Sequence, residues 1–576
     1  MLPKIKPFRG REIDCMIKRA VILVCCILFL ISDVVFAFTI SFSPEQYSVG
    51  LGQDKLNQPF EINLYMENTE GLISPSSGLK EAIVFFNEFD ITSWFLSNLK
   101  ITAMNDYALT AKALIPSGLL PMGVYFFSVG VRNQQDKIFS TNAILVVGSP
   151  PIVSPPAGDS KKLRQLVEDS ANRFIYIPGG RYMIDDNTML RLKDNQVIWG
   201  AGLNSTILDG SKIATSGLSP VLVVGKDTFI SSLKTENTSG GSGITLDGPV
   251  SAVVTNVLSS KNKGGGVVAY NGASLHILAS YLEMNSYDGA TIGKNSAGAI
   301  IMTTATGNAF DGFGAEKTSS LFIDFCETSG NLGVGAGYFT QSSGAVLRTF
   351  LHNNQKACLF VGEGSTVQNI SNNRIADCGS DGIGAGGQGS TISLVSGNMI
   401  NGNVSGVSVN GSASILELQQ NIFLHNINTN LSVTNGGIVS GNGNTFTGAN
   451  IGIGVDGQAS RITLSSDIIT TAQELGILVA NAATAKLTSL NISSNRKNGI
   501  SVVSGSKLDG SGLMISANNG FGLGINDSGS TAALSSSEIS NNMNYGVIVF
   551  ESQGAIFRDQ GNNNISGNTP SNIGRW

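Results

Sequence analysis

Asp288 and Asp311 stand 23 residues apart, each immediately before a glycine, and Asp381-Gly382 repeats the pair further on. If the spacing is a structural repeat, Asp288 and Asp311 lie on neighbouring strands about 4.8 Å apart. Two carboxylates that close repel unless one holds a proton or a cation sits between them. Ca2+, which collects oxygen ligands, would answer the repulsion, so Asp288, Asp311 and Asp381 are candidate metal ligands. Lys294 and Lys317 follow the same segments, with Glu316 beside the second. Tyr270, Tyr287, Phe310 and Phe339 add aromatic surface for a bound substrate. The bland reading stands beside this one: Asp-Gly is common turn chemistry, found also at Asp209-Gly210, Asp247-Gly248, Asp456-Gly457 and Asp509-Gly510, and the lysines could be solvated charges.

What positions these residues is a repeat. A glycine followed by apolar, any, apolar recurs from Gly243-Ile-Thr-Leu to Gly546-Val-Ile-Val, in 14 copies that include Gly266, Gly289, Gly312, Gly335, Ala357-Cys-Leu-Phe, Gly382, Gly406 and Asn430-Leu-Ser-Val. The mean period is about 23 residues, within the range of stacked solenoids. The first and third residues after the glycine then point inward and the second and fourth outward. Glycine at outward positions, as at Gly314, Gly337, Gly384, Gly386, Gly454 and Gly524, leaves a flat or concave face, or simply relieves crowding. An Asn precedes many of these glycines (Asn285, Asn308, Asn331, Asn354, Asn403, Asn426, Asn495, Asn518, Asn542), placed to hydrogen-bond from turn to turn.

Composition agrees with strands and tight turns: 70 glycines and only 13% charged residues in 576. The net charge of −5 and the lack of a basic stripe argue against a nucleic-acid partner. Residues 1–37 read as an export leader, with Lys18-Arg19 before an apolar run from Ala20 to Ala37, and Met16 an alternative start; the protein is expected to be secreted or displayed at the cell surface. Residues 38–148 alternate in short runs and predict a β-sandwich, the four prolines of 149–158 a linker, and Asp159–Asn172 a helix with Leu163, Leu166 and Val167 on one face. Beyond the leader, Cys326, Cys358 and Cys378 are odd in number and are read as buried small apolar residues rather than a disulfide or metal set.

The run Phe85-Phe-Asn-Glu-Phe-Asp-Ile-Thr-Ser-Trp94 with Leu120-Pro-Met-Gly-Val-Tyr resembles bacterial immunoglobulin-like domains, with Glu88 in place of their usual glycine. From the capping helix through Ile175-Tyr-Ile-Pro-Gly-Gly-Arg-Tyr182, Gly200-Ala-Gly202 and Thr206-Ile-Leu208, residues 159–576 resemble the pectate-lyase-like superfamily. That resemblance implies an all-β chain whose main domain is a right-handed single-stranded parallel β-helix, and a polysaccharide partner, typically a uronate-type glycan. His276, His352 and His425 are not flanked by glycine and no Arg-Ile-Lys occurs, so the polygalacturonase pattern is missing. Calcium-assisted β-elimination, with Asp288 and Asp311 on the metal and Lys317 or Lys294 as base, is the sharpest enzymatic form of the expectation. A non-catalytic adhesin or structural surface protein is the alternative.

Overall fold

A computed structural model of the chain describes residues 38–42, 46–49, 59–68, 79–104, 108–116, 121–133, 136–214 and 219–576. The expected leader lies outside the described residues. Each turn of the solenoid contributes three strands. The strand after the repeated glycine (Val267–Tyr270, Ala290–Gly293, Phe313–Glu316 and their successors) builds a parallel sheet of 17 strands, called sheet A here. The next two strands of each turn, such as Ala297–Ile301 and Thr304–Thr306, stack as sheets B and C and run together as a 33-strand ladder.

Pairing is in register from turn to turn: Val267, Ala290, Phe313, Ala336, Leu359, Ile383 and Val407 form one column. Inward positions such as Ile292, Ala315, Val407 and Val409 are fully buried, as the period requires. The helix forms at Ser160–Glu168, with Asp159 accepting from the Lys162 N–H at 2.9 Å and Leu163 and Val167 buried against the first turns. Part of the proline-rich segment already belongs to the solenoid, since Ile152–Val153 pairs in parallel with Phe174–Ile175.

The asparagine ladder is present. Asn285, Asn308 and Asn331 are buried, each amide donating to the next side-chain oxygen at 2.9–3.0 Å. Asn308 also donates to the Leu282 carbonyl and accepts from the Asn285 N–H. A second ladder that the sequence pattern did not bring out runs along the B–C corner through Asn373, Asn398, Asn421 and Asn444.

Two expectations are corrected here. The repeat is written one residue early at Ala357: the glycine position is Cys358, the inward residues are Leu359 and Val361, and Phe360 faces outward. A one-residue slip exchanges the two faces of a strand, and no glycine marks the phase at this turn. The cysteines are corrected too, because Cys358 and Cys378 form a disulfide with Cα atoms 5.5 Å apart, and only Cys326 is a free buried thiol. The reason is geometric. At Gly266, Gly289, Gly312 and Gly335 a Cβ would come within 2.7–3.1 Å of the ladder amide one turn on. Cys358 and Cys378 occupy those two positions together, so the crowded contact becomes a covalent bond. Cys378 keeps its place in the ladder by donating its backbone N–H to Asn403 Oδ1 at 3.0 Å.

The described residues between 38 and 147 form two sheets, one of four strands and one of five. The five-strand sheet packs on the solenoid. Ile83, Phe85 and Ile138 meet Val253, Leu278, Ile301 and Phe325, and Val124, Phe126 and Ile144 meet Phe174, Val197 and Trp199. Polar contacts close the seam: Ser128 Oγ to Thr255 Oγ1 at 2.9 Å, Asn142 Nδ2 to Ser231 Oγ at 2.9 Å, and Arg348, which joins Glu81 at 2.8 Å to Asp324. The five-strand sheet thus covers sheet B and the B–C corner. Among the described residues none of its strands packs on sheet A.

Candidate functional site

Sheet A is where the chemistry-bearing residues gather. In some turns the residue before the glycine caps the next turn: Asp288 Oδ1 accepts the Asp311 N–H at 3.0 Å, and Asp311 Oδ1 accepts the Val334 N–H at 2.8 Å. Asn498 and Ser242 do the same in their turns, for Phe521 and Gly265. The aspartates therefore have a structural task that a neutral side chain performs elsewhere. Asp288 also accepts from Thr291 Oγ1 at 2.6 Å. Burial, reinforced by the charge of Asp311, pushes the Asp288 carboxyl up to about 7. Burial pushes Asp311 up to about 6 against the opposing pull of Lys356, and Asp381 up to about 6 against a hydrogen bond with Ser405. Tyr270, whose ring lies on Gly293, is raised to about 12 by burial and by the nearby Glu316 and Asp288.

The expected metal and base residues do not converge. Asp381 lies four turns from Asp288, about 19 Å along the axis. Both oxygens of Asp288 and one of Asp311 are engaged by protein donors, and no group of three or more His, Cys, Asp or Glu side chains is placed to hold a metal among the described residues. Six to eight oxygens are what Ca2+ collects, so this donor set does not fit it. Lys294 and Lys317 are exposed, in left-handed turns at φ 51° and 53°. A four-residue strand, about 13 Å of extended chain, separates each from its aspartate. The cation that acts on Asp311 is Lys356.

The aromatic residues divide into two sets. Tyr287 and Phe310 stack at 4.8 Å on the corner where sheet C turns into sheet A, and both are exposed. Phe339 lies flat over Gly337 with its ring 5.9 Å from that of Phe360. Phe360 in turn spreads over Gly362, Gly384 and Gly386, the outward glycines that leave room for a ring. Beside it opens a hollow of about 340 Å³, bounded by Phe360, Glu363, Asp381, Ser408 and Asn410 with the glycine strand as its floor. Ring and carboxylate converge on Gly384, whose missing Cβ would lie 3.0 Å from Phe360 and 3.4 Å from Asp381 Oδ2. Of these residues Asp381 and the floor glycines Gly384 and Gly386 stood out in the sequence. Phe360 was hidden by the phase slip at Ala357, and Glu363, Ser408 and Asn410 carry no motif.

Residues 242–404 and 405–570 match the model of the right-handed beta helix region. The chain belongs to the right-handed β-helix family. No curated protein matches it. Among solved structures this right-handed β-helix is similar to the catalytic domain of a GH87 α-1,3-glucanase in complex with nigerose, at 12% identity and TM-score 0.35, covering 92% of this chain and 99% of that one. It is also similar to the A-module of an Azotobacter vinelandii mannuronan C-5 epimerase (14% identity, TM-score 0.31, 73% and 97% covered). A periplasmic alginate epimerase follows at 14% identity and TM-score 0.28, with 63% and 82% covered. No helix among the described residues is long and apolar enough to cross a membrane.

Proposed function

We propose that sheet A of this β-helix holds an extended polysaccharide, with the Phe360 hollow as its central contact, and that the protein binds the glycan without cleaving it. The observation that carries this reading is the pairing of an aromatic ring laid flat on a glycine floor with convergent polar groups. An apolar platform takes the face of a sugar ring, while Asp381, Ser408 and Asn410 take its hydroxyls.

Cleavage finds less support in the geometry. The two acids of the hollow, Asp381 and Glu363, lie at opposite ends of it. Glu363 is level with Gly387, past the end of the Asp381–Ala385 strand. Glycoside hydrolysis by paired carboxylates needs about 5–9.5 Å between them. Asp288 and Asp311 are close enough, but they spend oxygens on backbone N–H groups of the next turn. An adhesive or structural role at the cell surface accords with this arrangement.

The test is equilibrium binding of the protein to soluble polysaccharides, with Phe360→Ala beside the parent. Loss of the ring is expected to weaken binding about tenfold while leaving thermal unfolding unchanged, a stacking contribution of roughly 1–1.5 kcal/mol. Unchanged affinity in the variant, or newly formed reducing ends or unsaturated sugars in the parent, refutes the reading. Export follows from the apolar run Ala20–Ala37. N-terminal sequencing checks whether the leader is removed, and a chain still beginning at Met1 or Met16 favours the alternative of an uncleaved anchor.

A further inference from the structure

We propose that the hollow on sheet A selects an uncharged glycan and rejects uronates, because every ionisable side chain that lines it is an acid. This inference rests on the polysaccharide reading and names the substrate class for the same surface.

Asp381 and Glu363 are the titratable groups of the hollow; the rest of its wall is Phe360, Ala385, Ser408, Asn410 and glycine backbone. No lysine, arginine or histidine lines it. No cation is among the groups that act on Asp381, which responds to burial and to Ser405 alone. The nearby Lys356 turns instead to Asp311, and Lys497, further along the corner, is paired with Glu474 at 2.7 Å. Along the solenoid axis the next charged strand ends are Glu316, with the exposed Lys317 beside it, on one side and Asp456 on the other, so it is the hollow itself, and not the flanking turns, that is free of cations.

A polyuronate brings one negative charge per sugar. Seated in the hollow it would set carboxylate against carboxylate at close range in a partly desolvated site, with no guanidinium or ammonium in the lining to answer it. A neutral glycan meets no such cost. Its hydroxyls donate to Asp381 and Glu363 in charge-assisted hydrogen bonds, and Asn410 and Ser408 supply both donors and acceptors. The apolar face of a sugar lies on Phe360 in either case, so the ring contributes affinity and the acids contribute the discrimination. A cation bridging a uronate to Asp381 is the competing possibility, and the experiment separates it.

The experiment measures equilibrium binding of the full protein to neutral glucan and mannan oligosaccharides and to oligogalacturonate of matched length. It is run at pH 7.5 in low salt, with and without added Ca2+. The neutral oligosaccharides are expected to bind at least about tenfold more tightly than oligogalacturonate, with no change on adding Ca2+, the scale of one like-charge contact at a partly exposed site. Replacing the two acids together, Asp381→Asn with Glu363→Gln, is expected to bring oligogalacturonate to within about threefold of the neutral sugars by raising its affinity. Asn498 shows that asparagine is accommodated at the position of Asp381 in another turn, and thermal unfolding of the double variant confirms that it folds. Oligogalacturonate binding as tightly as the neutral sugars, with or without Ca2+, overturns the inference while leaving the polysaccharide reading intact. Binding of neither class, or binding of both that is indifferent to Phe360→Ala, overturns the polysaccharide reading and the inference with it.

Discussion

Replacing Asp467 by Asn should stabilise the β-helix at neutral pH and do almost nothing at pH 4. Asp467 stands in the second ladder, at the B–C corner, and is 1% exposed. Its Oδ1 accepts both the N–H and the side-chain amide of Asn444, at 2.6 and 2.9 Å, while its Oδ2 is buried with no partner. Register shows what is missing. The Asn444 amide donates to the Leu418 carbonyl, and Gly441 pairs with Leu418, so an asparagine at 467 would donate to the Gly441 carbonyl. A carboxylate there faces an acceptor with a second acceptor, and burial raises its pKa from 3.8 to about 6. The folded state therefore holds a proton that the unfolded chain releases near 3.8. Stability is fully present below that value and is lost as pH rises to about 6 and beyond. The shift of about two units corresponds to about 3 kcal/mol above pH 7. Asparagine has no proton to lose. The difference in unfolding free energy between variant and parent, from urea titrations between pH 4 and pH 8, should grow from near zero to about 3 kcal/mol. A difference that does not change with pH, or a variant less stable than the parent at pH 8, refutes the reasoning.

The disulfide makes a second prediction: Cys358→Ser with Cys378→Ser should cost about 3 kcal/mol by opening a 20-residue loop, whereas Cys358→Gly with Cys378→Asn should recover part of it by restoring the glycine and ladder amide found at neighbouring turns. Urea titration of both double variants checks the order. Asn308→Ala removes two donated bonds and strands the Asn285 N–H, so a loss of about 2 kcal/mol in the same assay is expected. Arg348→Ala leaves the Asp324 side chain, 9% exposed, without its cation and unties Glu81 from the solenoid. Faster hydrogen exchange in Gly123–Asn133 and Ile138–Val147, with sheet A unaffected, is the expected signature. Adding Ca2+ should leave the thermal midpoint unchanged, because the aspartates of sheet A offer too few free oxygens; a rise of several degrees at millimolar Ca2+ would show otherwise.

A period of about 23 with apolar residues two apart is a local pattern, and stacking in register turns it into columns without further information. For that reason the solenoid, its inward residues and the ladder from Asn285 to Asn542 were legible in the chain itself. The aspartates were legible as a column as well, but what they do was not. Whether Asp311 meets a metal, a lysine or the next backbone N–H depends on where each turn directs its side chain, and the structure directs Asp311 to Val334 and leaves Lys317 at the other end of the strand. Phe360 and the Cys358–Cys378 bond fall where the marker glycine is replaced, so their faces could be assigned only from the neighbours above and below. Sequence alone determined that this chain coils and which residues line the coil, because burial follows a short period. Tertiary structure decided which face is covered by the five-strand N-terminal sheet, which face stays open, and which acids meet an aromatic ring there, because those depend on contacts between residues far apart in the chain.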